Sequence, residues 1–184
     1  MKYFKKFVGQ RLYLSPMNIL DAEKYAIWMN DRSVTDPTGS TVKITSIEGE
    51  KEWITNASKN GDANFAVVDI KTDELLGNCS LLNINRINRN CTVGIFIGDE
   101  ENRNKGYGKE ALKLLLNYAF NLENMHNVNL EVFSFNERAI KCYSKVGFKE
   151  CGRRHEVYFL DGKYHDKIEM EILEDDFRKE NKNI

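Results

Sequence analysis

Apolar and polar positions change their period several times along this chain, and each change marks an element. Residues 10–14 (Gln10, Arg11, Leu12, Tyr13, Leu14) alternate with the two-residue period of a half-buried strand, which ends before Pro16. Residues 21–30 shift to helical spacing, with Ala22, Tyr25, Ala26 and Met29 on one face. Residues 31–45 are rich in Asp, Thr, Gly and Pro, show no period and read as a loop. A second helix is predicted over 46–59, carrying Ile47, Trp53 and Ile54. Strands follow at 65–70, 75–84 and 92–97, joined by short polar connections of the kind antiparallel hairpins use.

Beyond residue 97 the connection changes character. A strand, a glycine-containing turn, a helix to about Asn121 and a strand at 128–133 make a βαβ crossover, expected to be parallel and right-handed. Another helix, 137–146, is stopped by Gly147. Strands at 152–160 and 163–173 flank Asp161-Gly162, the strongest short hairpin signal in the chain, and the charged tail 174–184 reads as a frayed helix. The order β-α-α-β-β-β-α-β-α-β-β predicts one α/β (α+β) domain over 1–184, a mixed sheet with helices on both faces.

Composition narrows the class. At 184 residues the chain is long enough to bury a proper core. A net charge of −1 offers no basic excess for nucleic acid and no acidic tail. No apolar run approaches the roughly 20 residues that span a bilayer. The N-terminal segment has lysines but no long apolar stretch or small-residue cleavage site, so no signal peptide is read there. A cytoplasmic protein without membrane partners is expected. Cys79, Cys91, Cys142 and Cys151 are scattered, and neither they nor His126, His155 and His165 show ligand spacing. Free thiols and no metal are expected.

Candidate chemistry concentrates in Arg103-Asn104-Lys105-Gly106-Tyr107-Gly108. This run lies between Val93, Ile95, Phe96, Ile97 and the helical spacing of Ala111, Leu112, Leu115, Leu116, Ala119. Glycines let backbone approach a ligand closely. The first N–H groups of a helix lack intrahelical partners and carry the positive end of its dipole, which suits a pyrophosphate. Arg103, Lys105 and then Lys109 add positive charge. An ordinary Gly-rich loop fits the same residues. A Walker loop does not, because no Gly-x4-Gly-Lys-Ser/Thr run exists; a dinucleotide fingerprint meets Ala111 at its third glycine and a turn placed after several strands.

The pattern Arg-x-x-Gly-x-Gly resembles the coenzyme A pyrophosphate loop of the GNAT acetyltransferase superfamily. A second run, Asn136-x-x-Ala139-x-x-x-Tyr143-x-x-x-Gly147-Phe148, follows at the distance and in the order found in that family. The predicted element order is also that of the GNAT fold. Residues 152–166 look like the branch that includes ribosomal-protein N-terminal and spermidine acetyltransferases.

The resemblance implies that strands 92–97 and 128–133 splay apart within a mostly antiparallel sheet. It implies that the pantetheine arm of acetyl-CoA pairs with the first of them, around Phe96 and Ile97. The pyrophosphate is expected on Arg103, Asn104, Lys105, Gly106, Tyr107 and Gly108, with Lys109 beside it and Asn136, Ala139 and Tyr143 against the cofactor. Asn136 reads either as a cofactor or water ligand or as a helix N-cap. Tyr143 reads either as the acid that protonates the departing thiolate or as a core aromatic.

Many relatives carry a basic Glu on the strand before the loop, where this chain has Thr92 or Val93. Glu131 is the nearest carboxylate in sequence, and an outward-facing charge explains it equally well. Asp31, Asp36, Glu48 and Glu50 lie where the first two helices would wall an acceptor cleft, with Arg32, Lys43 and Lys51 interleaved. The expected activity is acetyl transfer from acetyl-CoA to a primary amine, a protein N-terminus or a small amine, by a monomer or homodimer. A polyamine acetyltransferase and a catalytically silent acyl-CoA sensor are the alternatives.

Overall fold

The computed structural model describes residues 2–57 and 61–180. Eight strands form one sheet in the order β1-β2-β3-β4-β5-β6-β8-β7. They are β1 (Phe7–Val8), β2 (Leu12–Pro16), β3 (Ala63–Asp69), β4 (Leu75–Asn85), β5 (Asn90–Ile97), β6 (Asn127–Phe133), β7 (Lys149–Leu160) and β8 (Lys163–Leu173). Neighbours are antiparallel throughout except β5 and β6, which are parallel. The helices are α1 (Ala22–Met29), α2 (Arg32–Thr38), α3 (Ile47–Ala57), α4 (Tyr107–Asn121), α5 (Glu137–Ser144) and α6 (Glu174–Glu180).

The period-two alternation sorts side chains into two cores, one on each face of the sheet. Leu12, Leu14, Phe65 and Val67 join the core under α4, whereas Tyr13, Ala66 and Val68 join the core under α1 and α3. Helix α4 buries Ala111, Leu112, Leu115, Leu116, Ala119 and Phe120, one stripe at helical spacing. Each fully buried leucine is worth roughly 1.5–3 kcal/mol. That burial anchors α4, and with it the turn from which the helix starts.

Most predicted elements recur with ends moved by one to three residues. The segment 31–45 departs further, because it contains α2. Its cap is Asp31, whose Oδ1 accepts from the Ser33 amide at 2.8 Å, and Gly39 closes it in the left-handed region at φ 74°. Pro37 sits inside its last turn, so composition alone reads as loop. Strand β2 runs on to Pro16, where the missing N–H is harmless because β1 covers only Tyr13 and Leu14. Two-residue β1 is too short to show a period. Helix α5 ends at Ser144, and the amides of Val146 and Phe148 both donate to the Tyr143 carbonyl. Residues 58–59 and 181–184, predicted as ends of helices, lie outside the described residues.

Candidate active site

Strands β5 and β6 pair only over Asn90–Thr92 and Asn127–Asn129, then part. The gap opens into a cleft of about 680 Å³ whose walls are the end of β5, the turn at 102–109, α5, part of β6 and one side of α2. The ladder to β4 decides which backbone groups face the gap. Phe96 pairs with Asn78, and the Gly98 amide donates to the Leu76 carbonyl at 2.9 Å. Alternation along an antiparallel strand then turns the N–H and C=O of Phe96 toward β4 and those of Ile95 and Ile97 into the gap. The Phe96 ring packs against Trp28 and Tyr25 on the far face.

The glycine turn begins where a short 3-10 turn, Glu100–Asn102, hands over at Arg103. Asn104 at φ 59° and Gly106 at φ 86° reverse the chain, and α4 starts at Tyr107. Glu110 donates to the Gly106 carbonyl at 3.1 Å. The amides of Tyr107, Gly108 and Lys109 precede it, at positions that have no intrahelical acceptor.

The turn is braced from behind. Arg11 Nη1 donates to the Lys105 carbonyl at 2.7 Å, and its Nε reaches Glu110 Oε2 at 2.9 Å. Glu110 Oε1 accepts from the amides of Gln10 and Arg11 at 2.7 and 2.8 Å. Burial opposes the charge on Glu110, but these donors hold its carboxyl below the usual range. Tyr107 turns its hydroxyl to Asp69 at 3.1 Å, so its amide, not its ring, serves the turn.

Of the residues predicted against the cofactor, Phe96, Ile97, Arg103, Asn104, Gly106, Tyr107, Gly108, Lys109, Asn136, Ala139 and Tyr143 line the cleft, and Lys105 does not. The guanidinium of Arg103 is engaged with backbone and with Ser33 of α2, through Nε to the Ile97 carbonyl at 3.2 Å and Nη2 to Ser33 Oγ at 3.0 Å. Gly106 and Gly108 differ. Gly106 needs positive φ, and a Cβ there would press on Arg11 at 3.1 Å; Gly108 has ordinary helical backbone and would meet Ile97 only at 3.9 Å.

On α5, Asn136 Oδ1 accepts from the Ala139 amide at 3.2 Å, so it caps the helix and also lines the cleft. Tyr143 is half-buried, its ring edge-on to Phe148 at 6.0 Å. Among the described residues its hydroxyl has no hydrogen-bond partner. Burial and then Cys142 push the phenol well above its usual range, against the pull of Arg138. The sequence reading missed Arg138, Lys141 and Lys145, which line the same wall; their spacing of three and four residues was the available signal. Arg138 is held below its ordinary value by burial and then by repulsion from Arg103.

Ser33, Val34, Pro37 and Thr38 of α2 form the opposite wall, also unforeseen. None of Asp31, Asp36, Glu48 and Glu50 lines the cleft. Asp31 caps α2, Asp36 accepts from Arg32 and Thr41, Glu48 stands near Lys51, and Glu50 is buried. Glu131 does line it, with both carboxylate oxygens in ion pairs, to Arg154 at 2.7 Å and Lys167 at 2.8 Å. Thr92 donates to Asn129 Oδ1 at 2.8 Å where the strands begin to part, and Val93 points into the core. All four cysteines are free, and among the described residues no group of His, Cys, Asp and Glu is arranged to hold a metal ion. No helix among the described residues is long and apolar enough to cross a membrane.

Residues 11–149 match the acetyltransferase (GNAT) domain family. The spermidine N(1)-acetyltransferase of Vibrio cholerae is 33% identical over 115 residues, which cover 62% of this chain and 65% of that enzyme's length. An uncharacterized N-acetyltransferase, p20, of Bacillus licheniformis is 25% identical over 171 residues, 91% of this chain and 96% of that one. The crystal structure of spermidine N-acetyltransferase from Vibrio cholerae in complex with CoA and spermine superposes with a TM-score of 0.84 at 26% identity, covering 92% of this chain and 99% of that one.

Proposed function

This chain belongs to the acetyltransferase (GNAT) family, and from that premise we propose that it transfers an acetyl group from acetyl-CoA to a primary amine. The observation that carries the reading is a conjunction within one cleft. A strand edge open at Ile95 and at the Ile97 amide, an amide-lined turn at Gly106 to Lys109 and an unpartnered phenol at Tyr143 converge there.

These residues fit acetyl-CoA. The turn amides and Lys109 suit the pyrophosphate, Arg138 adds charge, and the edge of β5 accepts the pantetheine as an added strand would. Acetyl-CoA supplies an activated acyl carbon and a thiolate leaving group. The amine nitrogen bonds to that carbon, the carbon–sulfur bond breaks, and Tyr143 gives its proton to the sulfur. The amine loses its own proton to solvent, since Thr92 offers no base and both oxygens of Glu131 are paired. An acyl-enzyme is not needed. Burial pushes the Cys91 thiol up to about 12, and it raises Cys142 as well, so neither is a ready nucleophile.

For the acceptor, the relatives named above favour a polyamine over an amino acid, an aminoglycoside or a protein N-terminus. A monomer or a homodimer is proposed, and the free thiols suit the cytoplasm. Mass spectrometry of a panel of spermidine, spermine, aminoglycosides, amino acids and Ala- or Ser-starting peptides tests this. Spermidine and spermine should be acetylated fastest. Preference for a peptide N-terminus would overturn the acceptor class, and CoA binding without any product would make the chain a sensor.

A further inference from the structure

Arginine beside a pyrophosphate turn is usually read as a phosphate ligand, but the donors of Arg103 point elsewhere. Nε donates to the Ile97 carbonyl at 3.2 Å and Nη2 to the Gly98 carbonyl at the end of β5. Nη1 donates to the Ser33 carbonyl at 3.3 Å, and Nη2 also reaches Ser33 Oγ at 3.0 Å. A guanidinium has five N–H groups. These bonds take all but one, on Nη1, and hold the fork in the plane that joins β5 to α2.

The receiving end is prepared for it. In a regular helix the Ser33 carbonyl would accept from the amide of residue 37, and residue 37 is proline, which has none. Ser33 is itself fixed, with its amide at 2.8 Å and its hydroxyl at 2.9 Å from the two oxygens of Asp31. The segment is also held from another direction, at the first residue of α2 and beyond its end. Arg32 meets Asp161 at 2.6 Å and Thr41 meets the Tyr158 hydroxyl at 2.9 Å, both at the β7–β8 hairpin. So one side chain from the cofactor turn sets the start of the helix whose residues Ser33, Val34, Pro37 and Thr38 wall the opposite side of the cleft.

On the acetyl-transfer reading, on which this inference rests, we propose that Arg103 is a positioning residue that fixes the acceptor wall from the cofactor turn and so couples the two substrates. Occupation of the turn at 104–109 holds residue 103 in place, Arg103 holds Ser33, and α2 then presents a formed wall to the amine. A mutual coupling of this kind makes each substrate strengthen the binding of the other.

Calorimetry of acetyl-CoA binding and steady-state kinetics in the amine, on wild type, Arg103→Met, Arg103→Lys and Ser33→Ala, test it, with melting curves to show that each variant is folded. Arg103→Met should raise the amine KM about tenfold while the acetyl-CoA Kd moves less than about threefold. Arg103→Lys should not rescue, because an ammonium cannot hold Ile97, Gly98 and Ser33 in one plane. Ser33→Ala should shift the same constant by a smaller factor. A loss of acetyl-CoA affinity with the amine KM unchanged, a full rescue by Lys, or no change in either constant would overturn the proposal.

Hydrogen exchange of residues 31–38 reads the strut without turnover. Adding CoA should slow exchange there in wild type and not in Arg103→Met; equal slowing in both overturns the strut. A wild type that acetylates no amine counts against the proposed function alone, since this exchange measurement still decides the role of Arg103.

Discussion

On its cofactor side the cleft is made by one continuous stretch, from the end of β5 through the glycine turn to Lys109, and by α5. On its acceptor side it is made by α2, whose ties reach the cofactor turn 70 residues away and the β7–β8 hairpin 129 residues away. In the first wall the turn presents backbone amides whose positions follow from helix geometry, and α5 adds the side chains of Asn136, Arg138 and Tyr143. The second depends on individual side chains meeting across the fold. On the proposed function, the turn that would take the phosphates can be read from one short stretch, although Arg11 braces it from 94 residues away, whereas the facing wall is assembled from distant partners.

The largest expected effect lies between the two walls. Tyr143→Phe keeps the ring against Phe148 and removes only the hydroxyl. Turnover should fall by roughly 10²- to 10⁴-fold, the range for one general acid, with acetyl-CoA affinity unchanged. Near wild-type turnover would return Tyr143 to the role of a core aromatic.

The cofactor wall should break next, and unevenly. Gly106→Val forces a branched side chain into φ 86° and toward Arg11, and acetyl-CoA affinity should fall about tenfold or more in a folded protein. Gly108→Ala has room and ordinary backbone, so its loss should stay within about threefold. Equal losses at the two glycines in calorimetry would contradict the placement of the turn.

A smaller effect concerns pH. Burial keeps the phenol of Tyr143 above its ordinary 10.0, so the acid form persists as pH rises and is lost only beyond that raised value. The pH–rate profile should climb through the amine's titration without an alkaline fall below pH 10. Thr92→Glu should add an acid limb, because a half-buried Glu titrates above its usual value. A flat wild-type profile from pH 6 to 9 would contradict this, and loss of activity in Glu131→Gln would assign the base to Glu131.

The smallest effect belongs to the outer ties of the acceptor wall. Arg32 and Asp161 leave 56% and 69% of their side chains exposed, so Asp161→Asn should leave Tm nearly unchanged. A drop of several degrees in Tm would mean that the hairpin and α2 fold as one unit.

The chain's legibility follows the same division. Strands β5, β6 and β8 and helix α4 show clean periods because each buries one face in the core. The turn carries a glycine that its positive φ requires at Gly106, and the Asn136 to Tyr143 run is legible through its resemblance to the family. Helix α2 reads as loop in the sequence because its seven residues include Pro37 and show no apolar period. Its cap at Asp31 and its tie to Arg103 appear only in three dimensions. Asp31, Asp36, Glu48 and Glu50, whose interleaved Arg32, Lys43 and Lys51 left an acidic pocket open in the sequence, stay out of the cleft for a related reason, since local caps, ion pairs and burial consume those carboxylates. Arg103 was legible as a charge beside a phosphate turn; its partners were not.

Thiol released from acetyl-CoA, followed with and without spermidine on the wild-type chain and on Tyr143→Phe, tests the central claim most directly. The account predicts release that depends on the amine and nearly disappears in the variant, with acetyl-CoA bound equally well by both. Acetyl-CoA binding with no amine-dependent release from the wild type, across the whole acceptor panel, would contradict it.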